Sequence, residues 1–183
     1  QGLSSGRNRG IKESSGEIIV FIDDDATANF EFIKSIILYF DEHDNVAAIG
    51  GKVIPRYPSG KEPEWMSKFL WGLVVKVDYG NFPLPFKKKY PSGCNMSFRR
   101  SLFEKYGGFN EDLTYRGDEK FFFYKLKNGN EIIHYLPQAE VLHHIDEKRI
   151  SKEGTNRLAY LIGESEKIRL KGNKLGKLIK AVE

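Results

Sequence analysis

Apolar and polar positions along this chain change period several times, and the changes mark its elements. Glu17-Ile18-Ile19-Val20-Phe21-Ile22 is a short continuous apolar run, which predicts a buried strand, and a short helix over 7–14 precedes it, ended by Gly16. Phe30, Ile33, Ile37 and Phe40 then recur at helical spacing behind an Asn29 cap, predicting a helix to residue 40. A second strand over 46–54 is broken by Gly50-Gly51. Further on, the pattern predicts a helix over 99–106 that closes at Gly107-Gly108, and another over 118–127 stopped by Asn128-Gly129. Strands over 131–136 and 139–143 flank Pro137, and a basic helical stretch runs from Ser151 to Glu183. Strands alternating with helices predict an α/β architecture.

Residues 55–91 interrupt this alternation. The segment is rich in proline, holds both tryptophans and the run Lys87-Lys88-Lys89, and has an amphipathic piece from Trp65 to Val77. It reads as an inserted loop region whose aromatics either cover a core edge or form a mobile acceptor-binding or membrane-facing flap. In the basic tail, taken as an extension over 149–183, Leu175, Leu178, Ile179 and Val182 lie on one stripe, with Lys174, Lys177 and Lys180 elsewhere. Such a helix packs on its own domain or lies on an anionic membrane surface.

Composition narrows the class. A chain of 183 residues with 40% hydrophobic and 13% aromatic content is large enough for one domain with a real core. The formal charge of +4 does not imply nucleic-acid binding. A single cysteine, Cys94, excludes an internal disulfide framework and makes a cytoplasmic location the expectation. The first residues carry no signal-peptide pattern, and no run approaches the length of a membrane span.

Three constellations carry candidate chemistry. Asp23-Asp24-Asp25 follows the first strand directly, and three carboxylates at the end of a buried strand repel one another unless a cation or hydrogen-bond donors hold them. Strand ends in open α/β sheets bind nucleotides and their metals, and oxygen ligands there favour Mg²⁺ or Mn²⁺. A solvated acidic turn with one Asp capping the next helix is the other reading. Asp118-Glu119 puts two carboxylates at a helix start, either as a capping pair or pointing into a cleft. His143-His144 ends the last strand, where alternation sends the two rings to opposite faces, so at most one reaches any single site.

In order, Gly2-Leu3-Ser4, Arg7-Asn8-Arg9-Gly10-Ile11, Gly16-Glu17 and Phe21-Ile22-Asp23-Asp24-Asp25-Ala26 resemble the middle of a family 2 glycosyltransferase of the GT-A fold. Gly50-Gly51-Lys52-Val53, Gly93-Cys94-Asn95-Met96-Ser97-Phe98-Arg99-Arg100, Gly107-Gly108-Phe109-Asn110-Glu111, Gly117-Asp118-Glu119 and Pro137-Gln138-Ala139-Glu140-Val141-Leu142-His143 continue the order. Arg149, Ser151, Arg157 and Gly163-Glu164-Ser165 resemble the helical extension found in part of that family. The resemblance implies a GT-A mixed sheet flanked by helices over 1–148 and an inverting transfer of a sugar from a nucleotide-sugar donor, a UDP-sugar first, to a hydroxyl of a glycan or lipid-linked acceptor. It implies Mg²⁺ or Mn²⁺ on Asp25 with His143 approaching from the opposite side, and Asp23 and Asp24 near the nucleotide ribose and phosphate. Arg7, Gly93 and Asn95 fall on the donor side. The basic tail and the 55–91 segment add peripheral contact at the cytoplasmic membrane face to these expectations.

Two departures qualify this. The family's usual Glu-Asp pair is here Asp118-Glu119, so the base is Glu119 by position, with Asp118 the alternative because a displacement near 1 Å can cost on the order of 100-fold in rate. The strands that open the family's domain and build its base pocket have no counterpart before Gln1, so the chain is expected to be the C-terminal part of such a domain, truncated at its N-terminal edge. A non-catalytic fragment or interaction module is then an alternative. So is a Mg²⁺-dependent haloacid-dehalogenase-like phosphatase, from Asp23, Asp25 and Thr27 after the first strand.

Overall fold

The computed structural model describes residues 2–87, 89–113 and 117–169, with the backbone alone at 168 and 169. In chain order the elements are α1 (Leu3–Glu13), β1 (Ile18–Ile22), β2 (Ala26–Ala28), α2 (Phe32–Glu42), β3 (Val46–Arg56), a 3₁₀ turn (Lys68–Leu73), β4 (Leu84–Pro85) and β5 (Asn95–Arg99). They continue with α3 (Ser101–Tyr106), α4 (Asp118–Asn128), β6 (Ile132–His144), α5 (Glu147–Ile150) and α6 (Lys152–Arg169). The strands form one mixed sheet in the order β1-β5-β3-β6-β2, with β4 also on β6. Among the described residues only β3 and β6 run parallel, and every other pairing is antiparallel.

Glycine and proline do not break the strands where the sequence suggested. β3 runs through Gly50-Gly51, and β6 runs through Pro137. The reason is an offset in their pairing, which jumps from Gly51 opposite Leu136 to Lys52 opposite Glu140. The offset leaves Pro137, which has no N–H to contribute, outside the ladder. Asn95 of β5 bridges the gap, donating to the carbonyls of Lys52 (3.0 Å) and Ala139 (2.8 Å). Its amide must cross β3 at Gly51, where an added Cβ would fall onto both the Ala139 carbonyl and the Asn95 amide.

The first strand is an edge. β1 pairs only with β5 among the described residues, and Ile22 at its end is 41% exposed, so the run expected to be a buried strand is half-buried. α2 is also turned from expectation. Phe30, Ile33 and Ile37 are exposed, and the helix buries Phe32, Ile36, Tyr39 and Phe40. Its sequence is apolar on nearly every face, so spacing alone did not select one. On the other side of β5, Phe98, Phe103, Phe109, Phe122 and Phe123 form an aromatic core, with the Phe103 and Phe122 rings stacked at 5.1 Å, that joins α3 and α4 to the sheet.

The 55–91 segment is docked at several points. Tyr57, Met66 and Val74 make a small second core with Ile145. Val77 exchanges two backbone hydrogen bonds with Val53 (2.8 and 3.0 Å), and the Phe86 N–H donates to the Ile133 carbonyl. Trp65, Phe69 and Phe82 stay exposed. No helix among the described residues is long and apolar enough to cross a membrane. The tail stripe from Leu175 to Val182 and its lysines lie outside the described residues, as does Lys88.

Candidate active site

The Asp triplet forms the turn from β1 to β2. The Ala26 N–H donates to the Asp23 carbonyl (3.1 Å), and β2 then joins β6 with Ala26 opposite His143. The His144 N–H donates to the Asp25 carbonyl (2.8 Å), which fixes Asp25 against the end of β6. Asp25 Oδ1 consequently lies 3.2 Å from Nε2 of His143, a ring only 1% exposed. His144 points the other way, to Thr27 Oγ1 at 3.0 Å. Asp24 stands exposed on the turn.

Asp23, Asp25 and His143 each offer one ligand atom, and these atoms all lie within 4.8 Å of one another. The His143 ring has a neighbour at each nitrogen. Nδ1 faces the Val74 carbonyl (3.4 Å), which can only accept, and Nε2 faces Nη1 of Arg149 (3.4 Å), which can only donate. Nε2 also lies 3.2 Å from Asp25 Oδ1, so it stands between a donor and an acceptor on the side of the ring that faces the Asp cluster. Nε2 and the carboxylates of Asp23 and Asp25 thus share one small space, as the ligands of a cation do. Two carboxylates and one imidazole suit Mn²⁺ or Mg²⁺, so the residues fit a divalent metal. Burial raises the Asp23 carboxyl above its ordinary range, Arg7 opposes that rise, and the charge of Asp25 adds to it.

The acid pair is built from the other end of the molecule. α4 starts after Gly117, whose φ of 86° suits glycine, and no side chain caps the helix. Asp118 does not cap the helix, which was one of the two readings of the pair. It is fully buried, and Oδ2 accepts from Arg7 Nη1 at 2.7 Å, a stronger partner than a backbone N–H. Glu119 keeps 26% of its side chain exposed, with Oε2 3.9 Å from the same nitrogen. Burial, then a hydrogen bond and the charge of Asp118, push the Glu119 carboxyl up to about 7. Asp118 Oδ1 has no hydrogen-bond donor among the described residues.

Arg7 joins the two clusters. Besides Asp118 it reaches the Gly93 carbonyl (3.2 Å) and Asp23 Oδ1 (3.8 Å), and it lies over the Phe109 ring at 5.5 Å. α1 is held in place for this by Ser4, which donates to the Leu113 carbonyl (2.9 Å), and by Asn8, which bonds both backbone groups of Phe109. Gly93 has no room for a side chain, since a Cβ there would sit 2.7 Å from Arg7 Nη2.

The structure thus brings Arg7, Asp23, Asp25, Gly93, Asp118, Glu119 and His143 into one site. Asn95 is 1% exposed with both amide hydrogens on backbone carbonyls, which makes it a clamp of the sheet behind the site. Sequence reasoning gave no site role to Arg149, whose Nη1 also lies 3.9 Å from Asp25 Oδ2. Its position soon after His143 and its place among the residues that resemble the family's helical extension were the signals that could have marked it.

The sequence pattern of glycosyl transferase family 2 matches residues 1–107. Among similar proteins, a glucosyl-dolichyl phosphate glucuronosyltransferase of Haloferax volcanii is 28% identical over 160 residues, which cover 81% of this chain and 50% of that protein. The dTDP-rhamnosyl transferase RfbF of Shigella flexneri is 26% identical over 159 residues, covering 85% of this chain and 53% of its own. The chain spans about half the length of these curated relatives. Among solved structures, GalNAc-T7 with UDP, GalNAc and Mn²⁺ superposes with a TM-score of 0.61 at 12% identity, over 88% of this chain and 34% of that one. TarS of S. aureus, residues 1–349, gives 0.53 at 20% identity, over 88% and 45%. At these identities the structural likeness shows the fold, which is GT-A. With the pattern matching more than half of its residues, the chain belongs to glycosyl transferase family 2.

Proposed function

We propose that this chain transfers a sugar, with inversion, from a nucleotide-sugar donor to a hydroxyl of a glycan or lipid-linked acceptor. The observation that carries the reading is Arg7 lying between a three-ligand cation cluster and a carboxyl poised near neutrality. Asp23, Asp25 and His143 would hold Mg²⁺ or Mn²⁺, with Asp24 exposed toward the nucleotide. When bound, the metal supplies Lewis-acid neutralisation of the departing nucleoside diphosphate. Arg7 fixes Asp118, and Asp118 positions Glu119. The Glu119 carboxylate takes the proton of the acceptor hydroxyl as that oxygen bonds to the anomeric carbon, while the bond from that carbon to the diphosphate breaks on the opposite face. A carboxyl with its pKa near the working pH suits a general base.

UDP bound in the GalNAc-T7 neighbour supports a UDP-sugar, and the dTDP in the RfbF name makes a dTDP-sugar the competing donor. The dolichyl phosphate in the name of the Haloferax volcanii relative supports a lipid-linked acceptor. Exposed Trp65, Phe69 and Phe82, with Lys68 beside Phe69, suit peripheral contact at the cytoplasmic face of a membrane. The phosphatase reading gains nothing from the site, since Thr27 turns outward to His144.

The reading is tested by comparing Glu119→Gln and Asp118→Asn at saturating UDP-sugar. Glu119→Gln should lower turnover roughly 10²- to 10⁴-fold with donor affinity largely kept. An equal loss in Asp118→Asn alone would move the base to Asp118. UDP binding without transfer in the native chain would leave it a binding module.

A further inference from the structure

Arg149 comes from α5, six residues beyond His143, and its side chain is only 16% exposed. Its Nε donates to the Leu73 carbonyl (3.3 Å), which anchors the stem of the guanidinium on the small second core. Nη1 then lies 3.4 Å from His143 Nε2 and 3.9 Å from Asp25 Oδ2. A guanidinium has donors only, so Nη1 stands as a cation beside the nitrogen through which His143 would ligate a metal. Arg149 and a metal cannot both take that place. A divalent cation on Nε2 and Asp25 would also stand beside the Arg149 charge, and like charges at that range repel.

We propose that Arg149 stands in for the metal: it offsets the charge of Asp25 beside His143 Nε2 in the metal-free chain, yields that place when the cation enters, and turns its freed donors to the diphosphate oxygens that arrive with it. This rests on the metal-and-diphosphate reading of the site. The anchored Nε makes the change a swing about a fixed point. Arg–phosphate contacts are commonly bidentate, so the freed Nη groups have a matching acceptor. Metal alone must displace Arg149 with nothing to receive it, whereas metal with a nucleoside diphosphate satisfies both. The two ligands therefore bind with positive coupling, and the coupling is reciprocal.

Calorimetry of Mn²⁺ alone, UDP alone and UDP at saturating Mn²⁺ tests this on the native chain, Arg149→Gln and Arg149→Ala. The native chain should show coupling on the order of tenfold. In both variants Mn²⁺ alone should bind several-fold tighter, UDP at saturating Mn²⁺ about tenfold weaker, and the coupling should disappear. Arg149→Gln keeps a polar side chain and gives the result if the alanine variant proves poorly folded. Variants that bind Mn²⁺ no tighter than the native chain, or that keep the coupling, overturn the proposal. A native chain that binds no UDP with Mn²⁺ overturns the site reading beneath it, and that outcome is read from the native traces alone.

Discussion

Glu119 links stability to function at the level of a single side chain. Its ordinary value of 4.5 rises to about 7 in the fold, chiefly through burial and then through Asp118. The folded chain thus keeps that proton over a range where the unfolded chain has lost it, so this group's contribution to stability falls as pH rises from about 4.5 to about 7. Glu119→Gln removes the fall: its melting temperature should exceed that of the native chain at pH 8, and the two should converge below about pH 4.5. A variant that melts lower than the native chain at pH 8 would contradict the burial of this carboxyl. The adjacent carboxylates of Asp118-Glu119 were legible as a candidate pair, and the structure places both near Arg7. The Arg7 contact was not, because Arg7 and Asp118 are 111 residues apart and only the docking of α1 on Phe109 and Leu113 joins them.

Among the elements, α2 shows where reading by period fails and what decides instead. Apolar residues at 32, 33, 36, 37, 38, 39 and 40 allow several faces, and the choice is made at the helix end by a residue of a distant strand. Arg99 of β5 donates to the carbonyls of Phe40 (2.7 Å), His43 (3.2 Å) and Val46 (2.9 Å), and its guanidinium lies 4.9 Å from the Phe40 ring centre. Those contacts cap the C-terminal end of α2 and set its rotation over the sheet. Arg99→Met should therefore lower stability by about 2 kcal/mol, the usual loss for hydrogen bonds from a charged donor. Urea unfolding would read it as a lower midpoint at unchanged slope, and an unchanged midpoint would show that packing alone orients the helix. Arg99 lies in a quoted motif, yet nothing local says that it reaches back to residue 40. The offset at Gly51 and Pro137 was hidden for the same reason: each residue reads as a strand breaker until its partner strand is known.

Across the whole molecule, the strands near 18–22, 46–54 and 131–143 and the order of motifs were legible, and with them the GT-A architecture. The convergence of the motifs was not. The site is closed by backbone carbonyls at Leu73 and Val74 from the docked 55–91 segment, and carbonyls leave no trace in sequence. The central claim is that Asp23, Asp25 and His143 form one cation site beside a bound nucleoside diphosphate. Pulsed electron paramagnetic resonance of Mn²⁺ with the chain and UDP tests it most directly, because it reads the atoms around the metal. The account predicts a nitrogen coupling from His143 together with phosphorus couplings from the diphosphate, and loss of the nitrogen coupling in His143→Gln. Phosphorus coupling without nitrogen in the native chain, or nitrogen coupling that survives in His143→Gln, would contradict it.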